Sequence, residues 1–418
     1  MTNYTTHVLV GAVLVAAAIG LGSAQDAGLP RLANLGPVVL YENARLIPGD
    51  GGVAIERAAM LVRDGRVSRI GRAGEVGLPG GAARVDLTGK TILPTFTNVH
   101  THPGFQKGAT YSRENYGRET YLQDLDRALY FGITAVVSQG IDPGDLTFRI
   151  RAEQAAGTVG GARLFTAGRG IGAPNAGPGA ESYRGIAYEL NTPEAGRQAV
   201  RELAAQKVDL VKIWVDDRNG RAPRLSPAVS HAIIDEAHKS GLKVNAHVFY
   251  LSDVKDLAEA GIDGFAHLAR DLELDDQAVE TIVRRGITVM PTLVTPERTT
   301  HTSVPPTMAA WLDGPVRAAL PLAMIDRIKA PFGVTDHREM ELLVEAGMTP
   351  MQVLVGTTSL PAAYVKITDG GVLAAGKRAS FVVLDANPLD DITNTRRIAS
   401  VFIDGREVDR AALRARLR

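Results

Sequence analysis

Residues 97–105 read TNVHTHPGF and place His100 and His102 two positions apart at the end of an apolar run. If the preceding residues form a β-strand, its side chains alternate between two faces, so both imidazoles lie on one face. Two neighbouring imidazoles suit a metal ion. The pattern also arises by chance, because a buried histidine is often satisfied by ordinary hydrogen bonds. The rest of the chain has to distinguish these interpretations.

The composition is that of a globular chain without net charge. Of the 418 residues, 45% are hydrophobic, 44 are glycine and none is cysteine. The 46 lysines and arginines balance 46 aspartates and glutamates, so charge gives no reason to expect a nucleic acid partner. Without cysteine the chain has no disulfides, thiolate nucleophiles or thiolate zinc sites. Any metal must therefore be held by histidine, carboxylate or modified lysine.

The middle of the chain alternates short apolar segments with polar or amphipathic ones. The predicted strands are ITAVVSQG, RLFTAG, DLVKIWV, KVNAHVF, GFAHL and TVMPTLV, and the segments SPAVSHAIIDEAHKSG and LSDVKDLAEAG are typical of the helices between them. Strands that alternate with helices form parallel sheets, and this many units in succession favour a closed (β/α)8 TIM-like barrel. The predicted class is therefore α/β, with the barrel spanning residues 94–367.

Both flanks of the barrel have a different pattern. Residues 35–93 and 368–415 alternate apolar and polar residues between glycine-containing turns, which is typical of short antiparallel strands. Asp404 and Gly405 predict a hairpin turn. We expect the two flanks to pair into one small composite β-sandwich domain beside the barrel.

Residues 1–24 are predicted to be a signal peptide. An apolar segment precedes Gly22 and Ala24, which are small residues at the positions that a signal peptidase inspects. We therefore expect export to the periplasm or secretion, with a mature N-terminus at Gln25 and no membrane association after the leader is removed. The first residues contain neither lysine nor arginine, and the apolar run is near the lower length limit for spanning a bilayer. An uncleaved anchor is therefore the alternative.

Three predicted strands carry a polar residue inside an apolar segment. Lys212 interrupts DLVKIWV, His247 interrupts KVNAHVF and His267 interrupts GFAHL. Each has an ordinary explanation, because a buried lysine can be paired and a buried histidine can form a hydrogen bond across the barrel. Together with the HxH pair they form an ordered set that accidental burial rarely produces. The remaining histidines fall in the leader, on helices or in loops: His7, His231, His238, His301 and His337.

The order of these segments resembles the metal-dependent amidohydrolase superfamily. NVHTH, VKIWV, NAHV and FAHL follow one another as in that superfamily, and residues 344–392 are similar to the C-terminal signature of its imidazolonepropionase-like and prolidase-like branch. The resemblance covers nearly everything after the leader. It implies two divalent ions, with zinc as the expected metal, and these ligands: His100 and His102 on one ion, His247 and His267 on the other, and carboxylated Lys212 bridging both. A carbamate turns a buried cation into an anion that two metal ions stabilise.

The resemblance also implies a catalytic aspartate after the eighth strand, and Asp336 is the candidate. Such an aspartate takes a proton from the hydroxide and passes it to the leaving group. The approach DRIKAPFGVT breaks the expected strand with Lys329 and Pro331, so strand eight is predicted to be truncated. Asp336 followed by Glu339 also predicts a capping box, with Asp336 as the N-cap and Glu339 at the third helical position. Both interpretations of Asp336 stay open.

The predicted function is hydrolysis of an amide or peptide bond in a small-molecule substrate, with dipeptides of the prolidase type as one class, by attack of a metal-bridging hydroxide. Tyr250, which follows His247 closely, is a candidate substrate contact. One alternative is hydrolysis of a lactone, an ester or a cyclic amide at the same site. Another is a catalytically impaired member that acts as a binding protein, because the strand-eight region is damaged.

Overall fold

A computed structural model describes residues 36–108, 110–178, 183–300 and 333–417. The predicted signal peptide and its cleavage site lie outside the described residues, so export stays a prediction. Within the described ranges, no helix is both long enough and apolar enough to cross a membrane.

The described elements, numbered in chain order, alternate between strands and helices through the middle of the chain. The strands are β1 (Val38–Leu46), β2 (Ile55–Arg63), β3 (Arg66–Arg72), β4 (Ala83–Asp86), β5 (Thr91–Pro94), β6 (Phe96–Thr101), β7 (Gln106–Lys107), β8 (Thr110–Tyr111), β9 (Ile133–Ser138), β10 (Arg163–Thr166), β11 (Ile171–Gly172), β12 (Tyr188–Glu189), β13 (Leu210–Val215), β14 (Lys243–Val248), β15 (Gly264–Ala266), β16 (Thr288–Met290), β17 (Phe381–Leu384), β18 (Ile398–Ile403) and β19 (Arg406–Glu407). The α-helices are α1 (Arg118–Tyr130), α2 (Leu146–Ala155), α3 (Pro193–Ala205), α4 (Pro227–Lys239), α5 (Leu251–Ala260), α6 (Asp276–Arg285), α7 (Val294–Thr300), α8 (Val334–Glu345), α9 (Pro350–Thr357), α10 (Ser359–Tyr364) and α11 (Arg410–Leu417).

The two flanks share one eight-stranded sheet, so they pair with each other as expected, whereas the sandwich form of this domain stays a prediction. Its order is β19-β18-β17-β5-β1-β2-β3, with β4 paired to β1. Strands from the two flanks meet where β5 and β17 run antiparallel, with Phe381 opposite Pro94. The predicted hairpin is present, because Asp404 and Gly405 join β18 to β19 and both have positive φ angles. The exact domain limits at residues 94 and 367 stay a prediction.

The middle of the chain forms the predicted α/β barrel. β10, β9 and β6 form one parallel sheet, and β12, β11, β13, β14, β15 and β16 form a second. All six strands that the apolar segments predicted are present. In barrel order the eighth position lies between β16 and β6. Residues 301–332 lie outside the described part of the chain, so the predicted truncation of strand eight stays a prediction.

Capping residues set the limits of several barrel helices. Thr192 caps α3 by accepting a hydrogen bond from the backbone N–H of Ala195 at 3.2 Å. Asp275 caps α6 in the same way from Ala278 at 3.0 Å, and Gly286 ends that helix with a φ of 65°. Such caps are typically worth about 1 kcal/mol each. The two N-caps fix where the strand-to-helix connections, which are the loops on the side of the site, come to an end.

Packing of the helices against the outside of the barrel decides which side chains face inward. Ile233 of α4 and Leu257 of α5 are buried in one apolar cluster with Val211 of β13. Burying an aliphatic side chain of this size contributes roughly 1.5–3 kcal/mol. Because neighbouring side chains of a strand point to opposite faces, Lys212 next to Val211 points into the barrel. There it lies opposite Asn245 of β14.

Candidate metal centre

The five predicted metal ligands lie together in one cleft at the carboxyl ends of barrel strands. His100 lies near the end of β6 and His102 just after it, Lys212 lies in β13, His247 in β14, and His267 directly follows β15. All five line the same cleft. This is the end of a barrel at which the loops build active sites. The structure therefore brings these residues together, and their role as ligands stays a prediction.

The four imidazoles form a chain of close neighbours. The ring centroids of His100 and His102 are 5.2 Å apart, those of His100 and His267 5.0 Å, and those of His247 and His267 4.8 Å. In the described residues, no three histidine or carboxylate side chains converge on a single ion position. A metal centre here therefore needs Lys212, or a rearrangement of side chains, to complete its ligand set.

Burial keeps the four imidazoles neutral. The pKa of His102 is lowered to about 3 and that of His247 to about 4, chiefly by burial, with the charge of Lys212 as a smaller cause in both. The pKa values of His100 and His267 are also lowered, chiefly by burial. A neutral imidazole has a lone pair available for a metal, whereas the protonated ring has none. The histidines are thus in their ligand form at neutral pH.

Lys212 is a buried amine without a countercharge. Its side chain is 1% exposed, and its Nζ atom has no hydrogen-bond partner among the described residues. Burial lowers the pKa of Lys212 to about 7. A large fraction of such an amine is unprotonated at neutral pH, and the unprotonated form is the nucleophile that reacts with carbon dioxide. The surroundings of Lys212 therefore favour the predicted carbamate.

Gly140 is required for this packing of Lys212. Its φ is 84°, in the left-handed region, and a Cβ there would lie 2.8 Å from the Cβ of Lys212 and 2.9 Å from Trp214. Any larger residue would clash with both side chains and would also be strained. The loop after β9 therefore packs directly against the lysine stem.

The hydrogen bond of His247 determines which of its nitrogens is free. Its Nε2 lies 2.9 Å from Oδ2 of Asp216, so the ring donates Nε2–H to the carboxylate and leaves Nδ1 with a lone pair. Nε2 also lies 3.1 Å from the guanidinium of Arg270. A guanidinium only donates, so it cannot accept the Nε2–H, and Arg270 donates to the carbonyl of Val248 at 3.1 Å. Burial by itself raises the pKa of Asp216, but hydrogen bonds from His247 and the Arg218 amide lower it overall. Asp216 is therefore ionised and fixes the tautomer.

His267 has the opposite tautomer. The hydroxyl of Thr292 donates to the carbonyl of Pro291 at 2.7 Å, so its oxygen accepts from Nδ1–H of His267 and leaves Nε2 free. His267 also has a φ of 94°, which a residue with a side chain rarely adopts. Strained backbone of this kind clusters at functional sites, where the surrounding structure holds it in place.

The donor set fits a pair of divalent ions in its chemistry. Nδ1 of His100 and Nδ1 of His102 are buried without a hydrogen-bond partner in the described part of the chain, as is Nζ of Lys212. Buried polar atoms are normally paired, so these three atoms of one cleft are the ones that an added group such as a metal ion would satisfy. Neutral imidazoles and a carbamate are ligands that zinc accepts.

Asp336 lies in the same cleft, but the structure corrects its predicted place in the helix. α8 begins at Val334 with Gly333 as its N-cap, so Asp336 is the third helical residue and not the N-cap. Its Oδ2 accepts the backbone N–H of Gly333 at 2.9 Å, and its Oδ1 accepts from the side-chain amide of Asn98. Gly333 has a φ of 86°, and a Cβ there would lie 2.1 Å from Phe131. The packing of Phe131 therefore requires a glycine at the N-cap of α8.

Glu339 is not the capping partner that the sequence predicted. Its carboxylate accepts the backbone N–H groups of Leu293 and Val294, both at 2.9 Å, and so covers the start of α7. Burial raises the pKa of Glu339. Glu339 lines the cleft beside Asp336 and ties α8 to the loop after β16.

Tyr250, the predicted substrate contact, donates its hydroxyl to Asp217 at 2.8 Å. The guanidinium of Arg224 lies 4.7 Å from the centre of its ring. Tyr250 is not among the described residues that line the cleft. A role in substrate binding stays a prediction that the geometry does not favour.

The sequence patterns did not lead us to predict Asn98, Asp216 or the aromatic side of the cleft as parts of the site. Asn98 lies two positions before His100, so strand alternation places it on the same face, and this signal was available in the sequence. Its side chain also accepts the backbone N–H of His100 at 2.8 Å. Asp216 extends the same alternation beyond Lys212. Nothing in the sequence shows which side chains these residues meet.

Comparison with known proteins gives a family and a fold. Residues 91–408 match the amidohydrolase family. Uncharacterized proteins of Mycobacterium bovis and Mycobacterium tuberculosis are 34% identical over 251 residues, which is 58% of this chain and 60% of theirs, so the match spans less than two thirds of those relatives. An imidazolonepropionase of Cereibacter sphaeroides is 26% identical over 375 residues, covering 81% of this chain and 90% of that protein.

Solved structures support the barrel fold. The structure of molinate hydrolase is similar with a TM-score of 0.71 at 23% identity, covering 90% of this chain and 96% of that one. A Xaa-Pro dipeptidase with bound methionine has a TM-score of 0.68 at 21% identity, covering 89% and 99%. Phenylurea hydrolase B has a TM-score of 0.69 at 23% identity, covering 90% and 97%. At such identities the likeness shows the fold alone.

Proposed function

Because the chain belongs to the amidohydrolase family, as its motifs predicted, we propose that it is a metal-dependent hydrolase that cleaves an amide or peptide bond. The observation that carries the proposal is Lys212. It is a fully buried amine with no hydrogen-bond partner in the described part of the chain, and it lies among imidazoles that burial keeps neutral. A bare ammonium in that position is costly, whereas a carbamate between two cations is stabilised.

In this proposal the chain holds two divalent ions, with zinc as the expected metal. His100 and His102 would hold one ion, His247 and His267 would hold the other, and carboxylated Lys212 would supply the ligand that both share. When bound, two such ions supply an activated water and polarise the scissile carbonyl. Asp216 and Thr292 hold the imidazoles of His247 and His267 in the tautomers that leave one nitrogen of each free.

Asp336 is the proposed proton carrier. Burial raises the pKa of its carboxyl, while hydrogen bonds from Gly333 and Asn98 lower it. A carboxylate whose pKa is raised is a stronger proton acceptor than an ordinary aspartate. Since Asp336 lines the cleft with the histidines, it can take a proton from water there and pass it to a leaving nitrogen. If Asp336 only stabilises α8, the alternative of an impaired binding protein is favoured.

The class of the substrate stays open within this proposal. Dipeptides of the prolidase type are one class, supported by the fold shared with a Xaa-Pro dipeptidase. A lactone, an ester or a cyclic amide is the alternative, because the same ligand set serves each of these carbonyl groups.

The proposed location is the periplasm or the outside of the cell, and mass spectrometry of the native protein should find Gln25 as its first residue. An intact N-terminus in soluble cytoplasmic protein would contradict export.

Metal content tests the proposal directly. Elemental analysis of the purified protein should find up to two divalent ions per chain, and addition of ¹³C-bicarbonate should give a carbamate signal on Lys212. Lys212→Ala should lose that signal, at least one ion and the hydrolysis of amides. His231→Ala is the matched control, because His231 lies on the outside of α4 and pairs with Asp256 at 2.9 Å. Equal metal content in the two variants would overturn the site assignment.

A further inference from the structure

Building on the proposed function, we infer that the substrate of this site is an uncharged amide with an aromatic or similarly apolar group next to the scissile bond. The same inference excludes dipeptides with a free carboxylate as preferred substrates. It comes from the side chains that face the cleft beside the histidines, and not from the metal ligands themselves.

One side of the cleft is an aromatic wall, which consists of Tyr111, Tyr183 and Trp214. The ring of Tyr183 lies 5.5 Å from the ring of His102. Trp214 lies on the same face of β13 as Lys212, and its ring centre is 5.8 Å from Nζ of that lysine. A substrate carbonyl placed among the histidines and Lys212 therefore brings its neighbouring group against these rings. Aromatic faces bind flat apolar groups by offset or edge-to-face packing.

The aromatic wall is already in place without a ligand. The hydroxyls of Tyr111 and Tyr183 are hydrogen-bonded to each other, which joins the β7–β8 hairpin to the segment before β12. Phe105 packs edge-on behind Tyr183, with ring centroids 4.9 Å apart. Tyr183 is 8% exposed and Trp214 4% exposed, so neither ring has room to turn away. Binding an apolar group here consequently costs little side-chain entropy.

The charges around the cleft do not suit a free carboxylate. Among the described residues that line it, the cationic side chains are Lys212 and Lys243, and none is arginine. Lys243 begins β14, at the opposite end of the strand from the histidines, and donates to the carbonyl of Tyr364 at 3.1 Å. Arg270 is held beside Asp216 and by the carbonyl of Val248.

Lys212 itself is unavailable for this purpose, because the proposed function uses it as the bridging ligand. A carboxylate on either side of the scissile bond would thus find no available cationic side chain among the described residues that line the cleft, and an unpaired buried charge is strongly unfavourable. Tyrosine hydroxyls that already bond to each other offer little compensation. The described side chains therefore favour a neutral group at this position.

Four matched compounds test the inference on the full-length, metal-loaded protein. Benzoyl-alanine methylamide is neutral, and benzoyl-alanine has the same benzoyl group with a free carboxylate. Acetyl-alanine methylamide and acetyl-alanine lack the aromatic ring. Release of benzoate or acetate, followed by chromatography, gives kcat/KM for each. The neutral benzoyl compound should exceed its carboxylate partner by about 10-fold or more.

Tyr183→Ala should lower kcat/KM for the neutral benzoyl compound by about 10-fold and change the acetyl compound by less than about threefold. Tyr183→Phe keeps the ring and should retain most of the benzoyl preference, which separates packing from hydrogen bonding. Tyr188→Ala is the control, since Tyr188 packs on Arg169 at 4.1 Å and does not line the cleft. A preference for the carboxylate compounds, or equal losses on both acyl groups, would overturn the inference.

Binding distinguishes this failure from failure of the proposed function. If none of the compounds is cleaved, affinity for benzoyl-alanine methylamide is measured by calorimetry on the same metal-loaded protein. Binding that Tyr183→Ala weakens about 10-fold would support the aromatic wall while the hydrolase proposal fails. No binding of the neutral compound, or tighter binding of benzoyl-alanine, would overturn the inference itself.

Discussion

Asp142 is a buried carboxylate and Asp336 a half-buried one, both near the carboxyl ends of the barrel strands, and their surroundings differ. Asp142 accepts from the hydroxyls of Ser138 at 2.8 Å and Thr166 at 2.5 Å, and the described residues that line the cleft do not include it. Asp336 lines the cleft, and its partners are the amide groups of Gly333 and Asn98. Burial raises the pKa of both carboxyls, to about 7 for Asp142.

The type of hydrogen-bond partner separates the two roles. A hydroxyl donates to a carboxylate and also accepts from a protonated carboxyl, so the site of Asp142 tolerates either state. An N–H group only donates, so the partners of Asp336 favour its ionised form. We therefore expect the carboxyl of Asp142 to have a structural role and the carboxylate of Asp336 to accept a proton.

The largest effect is expected for Asp336→Asn. Loss of a general base should lower kcat by ~10² to 10⁴. Metal content and the urea midpoint should change little, because asparagine keeps an oxygen that can accept the Gly333 N–H. Asp369→Asn, at a surface pair with Arg378, is the control for loss of one carboxylate. Turnover within about threefold of the wild type would assign Asp336 to helix stabilisation alone.

Asp142 should affect stability and its pH dependence. Its pKa of about 7 in the folded protein exceeds the value of 3.8 expected for the unfolded chain. Between these values the folded state holds a proton that the unfolded state has lost, so stability falls as the pH rises from about 4 to 7. In Asp142→Asn, the fall in the free energy of unfolding between pH values of about 4 and 7 should be smaller by up to about 4 kcal/mol. Urea unfolding at several pH values measures this difference.

The exposed neighbour Asp145 provides the control for Asp142. Asp145 pairs with Arg149 at 3.0 Å, and its side chain is 70% exposed. Asp145→Asn should leave the pH profile of stability as in the wild type. Parallel profiles for wild type and Asp142→Asn would show that Asp142 is ionised throughout this pH range.

A third carboxylate, Asp216, should act on metal affinity. Asp216→Asn no longer fixes the tautomer of His247, and loss of such a partner typically weakens metal binding 10- to 100-fold. Titration of the metal-free protein with zinc in the presence of a competing chelator measures this change. Asp217→Asn is a close control, because Asp217 lies on the same loop but bonds to Tyr250. Equal affinities for both variants would remove Asp216 from the site.

The smallest effect is expected for Asn98→Ala. Without the amide of Asn98, the pKa of Asp336 rises, so the acidic limb of the pH profile of kcat/KM should move to higher pH. We expect kcat at the optimum to fall by less than about 10-fold, since Gly333 still holds the carboxylate. Asn394→Ala, in the C-terminal flank, should leave the profile in place. An unchanged acidic limb in Asn98→Ala would separate Asn98 from Asp336.

The strand-borne part of the site was predictable because strand alternation fixes where side chains point. His100, Lys212 and His247 lie within apolar strands, and His102 continues the alternation of β6 just past its end. Their convergence follows from the order of parallel strands. His267 was found in the same way. Its φ of 94° was not, because that conformation depends on the packing around it.

The remaining part depends on contacts between distant segments. α8 begins after Gly333, where Phe131 leaves no room for a Cβ, and Asp336 is therefore the third helical residue and not the N-cap. Local capping signals could not show this, because Phe131 lies far away in the sequence. The aromatic wall likewise joins Tyr111 to Tyr183 across 72 positions. The fold class and the paired flanks, in contrast, followed from hydrophobic periodicity.

The pairing of β5 with β17 has a consequence for synthesis of the chain. β5 can pair with β1 as soon as the first flank has been synthesised. Its other edge stays unpaired until β17 is made, near the end of translation. At ~5–20 residues per second that interval is roughly 15–60 s. An exposed edge strand is a template for pairing with other chains. The nascent protein therefore passes through a period in which its N-terminal sheet is open to aggregation, and a chaperone or rapid translation of the barrel would shorten that exposure.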